Sequence, residues 1–273
     1  MNLPFPSPRH AITPRDRRFG RGAAIGRWWN GGDPYASALY NALSATFPKG
    51  EKFFVDSVRA FRAGMPPKLD AQVAAFVRQE AAHSREHAAF NRRVREAGYD
   101  ISPLEARVDW RLSIVADKRP IVALAATMAL EHFTAILAHE LLADPRHLAG
   151  ADAETAALWR WHAVEEIEHK AVAYDSWLHA TRRWPRFKRW LVKARVMQIV
   201  TRNFIVDRSL GALELLRQDG IAGPRAWWGL FRAAFVRPGM FRKVAGAWAG
   251  YFMPRFHPWR RDDRHLIAAA QGV

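Results

Sequence analysis

The chain has 273 residues, 49% hydrophobic and 25% charged, with a formal net charge of +16 and no cysteine. The apolar fraction excludes a wholly disordered chain. The missing cysteine excludes a disulfide scaffold, an iron–sulfur cluster, a thiolate zinc site and a cysteine nucleophile.

Residues 1–33 are rich in Pro, Gly and Arg and are expected to be irregular. From Pro34 the pattern is helical. A short helix is expected over Tyr35 to Thr46, then an interruption at Phe47-Pro48-Lys49-Gly50, then a second helix over about Glu51 to Ala63. Pro66-Pro67 suits a helix start, and a long helix follows from Lys68 to about Ala97, stopped by Gly98. Residues 102–117 suit a shorter helix. Pro120 opens another long one, ended by Asp144-Pro145. Its apolar run, Pro120 to Leu130, stops at Glu131, short of the roughly 18 residues of a membrane span. Asp152 is a candidate N-cap for a helix reaching about Arg183. No segment alternates with period two. The fold class is therefore all-α, with four main helices in residues 34–181.

Beyond Trp184 the helical stretches are interrupted: Pro185 to about Leu216, Arg225 to Phe235 and Met240 to Tyr251, with residues 254–273 as a tail. Three regions follow: a basic segment 1–33, a helical bundle 34–181 and a basic, Trp-rich region 182–273. Residues 176–273 carry 19 Lys/Arg against 5 Asp/Glu and seven of the twelve Trp. That composition suits an anionic membrane face or, less well, nucleic acid. The N-terminus has no apolar signal-peptide core, so a cytoplasmic protein is expected, or one peripheral on the inner membrane face.

The middle region repeats one constellation. Glu51 precedes Glu80-Ala81-Ala82-His83, and Glu131 precedes Glu166-Ile167-Glu168-His169. Residues i and i+3 share a helix face, so each Glu-x-x-His pair can bind one cation. Four such helices bring four carboxylates and two imidazoles into one core, a recipe for a di-iron or di-manganese site. Glu131 sits in the apolar run Leu124 to Phe133, where a solvated charge is out of place; the alternative is a buried Glu paired with an arginine. Glu51, close behind Pro48 and Gly50, could instead be a first-turn Glu favoured by the helix dipole. His162 lies four residues before Glu166 and is the preferred seventh ligand. His87 extends the other motif as a neighbour of the ligands. Glu165 and Glu168 flank Glu166 on other faces, as an extra ligand, a partner of a ligand, or simply solvated. His132 is expected to be a neighbour, and His139-Glu140 to face away.

Over residues 34–181 these motifs resemble the ferritin-like di-iron carboxylate proteins. The form His162-x-x-x-Glu166-x-x-His169 is similar to the three-histidine pattern of p-aminobenzoate N-oxygenase-type enzymes. Phe47-Pro48-x-Gly50-Glu51-x-Phe53-Phe54 and His162-x-x-Glu165-Glu166-x-Glu168-His169-Lys170 resemble a bacterial family of predicted metal-dependent hydrolases. The resemblance implies a ferritin-like four-helix bundle with an added basic C-terminal helical region. It implies metal ligands Glu51, Glu80, His83, Glu131, Glu166 and His169, with His162 added.

Three functions follow as expectations. The first is a non-haem di-iron oxygenase or oxidase, holding two Fe ions (or Mn, or mixed Fe/Mn) and served by an electron donor. Its substrate would be a small or lipid-like molecule, in a pocket lined by Phe54, Phe76, Met128 and Phe133. The second is a hydrolase using the same two-metal site, with Zn as a further candidate metal. The third is a membrane- or nucleic-acid-associated protein whose metal is not catalytic.

Overall fold

The computed structural model describes residues 11–22 and 24–271. Every regular element among them is helical, and Asn30 and Ala151 form an isolated antiparallel bridge. The chain is all-α.

Helix α1 (Pro34–Ser44) is started by Asp33, whose carboxylate accepts from the amides of Tyr35 and Ala36. Helix α2 (Phe47–Arg59) begins earlier than expected. Phe47-Pro48-Lys49-Gly50 is its first turn and not an interruption, because proline there needs no amide partner and its φ already suits a helix. Helices α3 (Pro67–Glu96), α4 (Ser102–Ala116) and α5 (Pro120–Ala143) also carry proline in the first turn.

Asp152 caps α6 (Ala153–His169) through the Thr155 amide, as expected. The single helix expected to run to Arg183 is broken, since α6 ends at His169 and α7 spans Val172–Ala180. No Pro or Gly marks the break. Lys170, at the junction, turns its ammonium to the Asp263 carboxylate and the Arg261 carbonyl. A contact from the far end of the chain thus replaces a local stop signal. Helices α8 (Arg186–Gln218), α9 (Gly223–Phe231, continued by a wider turn to Val236) and α10 (Met240–Gly250) follow. The expected tail instead contains α11 (Arg264–Gln271), with Asp263 buried just before it.

Helices α2, α3, α6 and α5 close a ring of contacts in that order. Phe76, Leu124, Met128 and Ile167 are buried in the core between them. Helix α5 is long and apolar enough to cross a membrane, yet 67% of its apolar window is buried in the protein. Helix α8 lies on α1 and α5, and α10 on α5. A Cβ at Gly229 would meet the Tyr35 ring at 2.0 Å, so the close approach of α9 to α1 needs glycine.

Of the N-terminal segment, the first ten residues lie outside the described residues. Residues 11–22 and 24–33 hold no helix or strand, yet several of them are packed. Phe19, Ile25 and Trp29 are buried, the Phe19 amide donates to Glu86, and the Trp29 indole donates to Asn41.

Candidate metal centre

The ring of helices points seven side chains at one place. Glu51 comes from α2, Glu80 and His83 from α3, Glu131 from α5, and His162, Glu166 and His169 from α6; none is more than 4% exposed. Their donor atoms fall into overlapping trios with metal-ligand spacing: Glu51, His83 and His162; Glu80, Glu131 and His169; Glu80, His83 and Glu166. The Glu80 carboxylate belongs to two of the trios. His169 Nε2 is 3.2 Å from Glu80, 3.4 Å from Glu166 and 3.5 Å from Glu131. His83 Nδ1 is 3.5 Å from Glu166 and 3.7 Å from Glu80.

The electrostatics are out of balance without a cation. Both oxygens of Glu51, Glu80 and Glu131, one oxygen of Glu166, His83 Nδ1 and His169 Nε2 are buried with no hydrogen-bond partner. Leaving such groups unmatched costs several kcal/mol each, of order 1–3 or more for charged groups. Burial, then the neighbouring carboxylates, push Glu51, Glu80 and Glu131 well above the ordinary carboxylate range. Burial also opposes the Glu166 charge, but His169 and His162 outweigh it and hold Glu166 well below that range.

The histidine protons can be assigned from the outside inwards. Gln79 Nε2 donates to the Glu168 carboxylate at 2.9 Å, which fixes its amide. Gln79 Oε1 must then accept from His169 Nδ1, at 2.9 Å, and His169 Nε2 keeps a bare lone pair. His83 Nε2 donates to Glu165 at 3.1 Å; burial disfavours the charged ring, but that bond and the Glu166 and Glu51 carboxylates outweigh it and raise the His83 pKa, so Nδ1 offers its lone pair once a cation displaces the proton. The third chain is longer. Asn91 Nδ2 donates to the Ser44 carbonyl at 3.0 Å, so Asn91 Oδ1 accepts from the Ser44 hydroxyl at 2.7 Å. With its proton used, Ser44 Oγ can only accept from His87 Nδ1, at 2.8 Å. Burial and the nearby His162 and His83 hold His87 neutral, so its Nε2 accepts from His162 Nδ1 at 2.6 Å. Burial pushes His162 down to about 4. Its bare Nε2 therefore faces the Glu166 carboxylate at 2.9 Å. In the metal-free chain, protons held by His83 and by the raised carboxyls offset the repulsion between these lone pairs and the carboxylate oxygens; cations would take the place of those protons, so this donor set fits bound metal.

A family model described as "Predicted metal-dependent hydrolase" matches residues 13–262. The chain belongs to that family. No curated protein and no solved structure matches it.

In this metal-dependent hydrolase family member, the geometry decides between several alternatives and corrects the expected pocket lining. Glu51 is not a solvated first-turn residue; it is buried and unpartnered. Glu131 has no arginine partner among the described residues; its ion-pair-range neighbour is His169. Glu165 and Glu168 are buried, not solvated: Arg15 bonds both, at 3.3 and 2.6 Å, and His83 and Gln79 hold their remaining oxygens. His87 lies beside the centre, bonded to His162. His132 turns away to the Ala247 carbonyl. His139 pairs with Asp263 and Glu140 with His147 and Lys243, both away from the centre. Phe54, Phe76, Met128 and Phe133 are core residues. The small cavity that reaches His162 and Glu166 is lined instead by Tyr40, Leu43, Phe47, Leu137, Trp159 and Phe204, among others.

Arg15, Gln79, Ser44 and Asn91 escape motif reasoning because each reaches the centre through a contact with another element. The one local signal was Gln79, adjacent to Glu80 in the Glu-x-x-His motif.

Proposed function

We propose that this chain is a two-metal enzyme with a ferritin-like centre built from Glu51, Glu80, His83, Glu131, His162, Glu166 and His169. The observation that carries this is the set of buried, unpartnered carboxylate oxygens and imidazole lone pairs converging on one place. Divalent cations there would supply Lewis acidity, lowering the pKa of water and drawing charge from a carbonyl or phosphoryl oxygen, and iron would add the capacity to reduce O2. Glu80, which belongs to two of the trios, would hold a cation together with Glu131 and His169 or with His83 and Glu166. Gln79, Glu165 and His87 hold the three imidazoles in the tautomers that present lone pairs inward. Trp161 and Phe76, ring-on-edge against His83 and His169, keep the site dry.

Hydrolysis is the first reading, in keeping with the family description. Oxidation by O2 is the second, favoured by one observation: the cavity beside Glu166 is almost wholly apolar, which suits a small apolar oxidant better than a polar scissile group. The tests separate them. Metal analysis after anaerobic Fe(II) loading and desalting is expected to find two metals per chain, and fewer in Glu131→Ala. Turnover of activated esters or phosphodiesters by Zn- or Mn-loaded protein without O2 would support hydrolysis. O2 uptake by Fe(II)-loaded protein, with no anaerobic hydrolysis, would support the second reading. A wild-type chain that retains none of these metals would sink both.

A further inference from the structure

Arg208 carries a guanidinium with no carboxylate to match it. Its neighbour Asp207 is taken by Arg107 and Arg111, at 2.9 and 2.7 Å. Arg208 itself donates to the neutral Thr46 hydroxyl at 2.6 Å. Its Nε is enclosed and has no hydrogen-bond partner. No carboxylate lies within ion-pair distance of it among the described residues. Burial pushes its pKa down to about 10, which leaves it charged at neutral pH. A partly buried guanidinium whose partners are a neutral hydroxyl and, at 5.9 Å, the Phe204 ring is complementary to an anion.

The space beside it sets the rest of the ligand. Arg208 borders a cavity of about 220 Å³ walled by Ile205, Trp227, Leu230, Phe231 and Phe241. Trp227 and Phe231 are 56% and 48% exposed, so the mouth is open. Ser209 and the Trp227 indole are the other polar groups in the lining, too few for the hydroxyls of a sugar or nucleotide. The Phe241 ring of this lining meets Phe204 at 6.3 Å. Phe204 also lines the smaller cavity bounded by His162 and Glu166. The linings of the two cavities thus adjoin through the Phe241–Phe204 contact.

We infer that this cavity is the entry site for a single-headed anionic amphiphile, with its carboxylate or phosphate on Arg208 and its unbranched chain directed past Phe241 and Phe204 towards Glu166. The direction of the chain rests on the two-metal reading above, whereas the binding of the head group does not.

The test is titration calorimetry of the full chain with decanoate, decyl phosphate and decanol below their micelle concentrations, with metal content measured on the same samples. One anion per chain is expected to bind, more tightly than decanol, and the two head groups show which anion is preferred. Arg208→Met is expected to weaken both anions about ten- to a hundredfold and leave decanol unchanged, while Arg208→Lys restores part of the loss. Affinity should rise about fourfold per methylene until the inner cavity is full. Ala138→Phe, which fills that cavity, should shorten the chain length at which the rise stops. Equal losses for decanol and the anions, or no saturable binding in the wild type, would overturn the head-group site. An unmoved plateau in Ala138→Phe would overturn the route. A sample that holds two metals and binds no amphiphile overturns this inference alone. One that binds amphiphile without any metal overturns the reading of the centre.

Discussion

Helix α6 carries three glutamates in four residues, and they meet two different fates. Glu165 and Glu168 face the N-terminal segment, where Arg15 pairs with both. Glu166 faces the ring of helices, with Glu51, Glu80 and Glu131, and no Lys or Arg reaches any of these four among the described residues. The same contrast holds across the molecule. Buried Asp263 takes Lys170 at 2.6 Å, and buried Glu86 takes Arg21 at 2.6 Å and Arg85 at 2.7 Å. Even Glu140, Asp144 and His147, which have metal-like spacing, are filled by Lys243. A chain with 42 Lys and Arg has cations to spare. Where a buried carboxylate is structural, the chain supplies its partner, and only at the centre is the partner left to come from outside.

The largest expected effect is that of metal itself. A ligand bound only by the folded state at a thousandfold excess over its Kd adds about 4 kcal/mol, or roughly 8–16 °C in a chain of this size. Thermal unfolding of chelator-treated protein before and after adding Fe(II), Mn(II) or Zn(II) measures it, and Glu131→Ala should abolish the gain. No shift with any of the three would break the contrast between centre and periphery.

The pH dependence of the metal-free chain sharpens it. Glu51, Glu80 and Glu131 have folded-state pKa values above the ordinary 4.5. The folded state then binds more protons than the unfolded one above that pH. Stability is therefore greatest at low pH from these groups and is lost as pH rises from about 4.5 through their raised values. Glu166, held low, adds no slope above about pH 4.5, whereas His87 and His162, held below 6.5, oppose the loss up to about pH 6.5. With metal bound the slope should invert, because protons compete with the cations. Glu131→Gln should stabilise the metal-free protein by about 1–4 kcal/mol while weakening metal binding. Urea unfolding at pH 5 and pH 8, with and without metal, checks both signs.

At the periphery the prediction is the opposite. Arg15→Ala removes a protein cation from Glu165 and Glu168, and Arg15 is 21% exposed. A loss of about 2 kcal/mol is expected, below the full cost of breaking a buried pair. The metal count should stay at two per chain. A third metal in the wild type, lost in Glu140→Gln, would mean that Lys243 does not fill its trio.

Much of the centre is legible in the sequence because each half of it is local. Glu80-x-x-His83 and Glu166-x-x-His169 need only helix periodicity, and Glu131 is conspicuous in an apolar run. What is illegible depends on contacts between distant segments. The break after His169 carries no local signal, since Lys170 answers to Asp263, 93 residues away. Arg15 sits in a segment with no regular structure, so no period relates it to α6. The start of α2 is a different failure: Pro48 signals a helix start and a helix stop with equal force, and only the packing of the turn decides.

The smallest predicted effect concerns the longest of these contacts. Ser44 and Asn91 touch no candidate ligand, yet their hydrogen bonds set the direction of the chain that ends at His162. Ser44→Ala removes the acceptor for His87 Nδ1, so His87 is free to carry its proton on Nε2. His162 would then move its own proton to Nε2 and lose the lone pair that faces Glu166. Loss of such an outer partner costs about 10- to 100-fold in metal affinity. Ser44→Thr keeps the hydroxyl and should keep the affinity, although it adds a methyl group to the same packed site. A purely structural role would instead make Thr, the bulkier side chain, the more disruptive of the two. The ¹⁵N shifts of His162 in metal-free Ser44→Ala decide the point. Nδ1 protonated as in the wild type would show that the chain of hydrogen bonds does not set the tautomer.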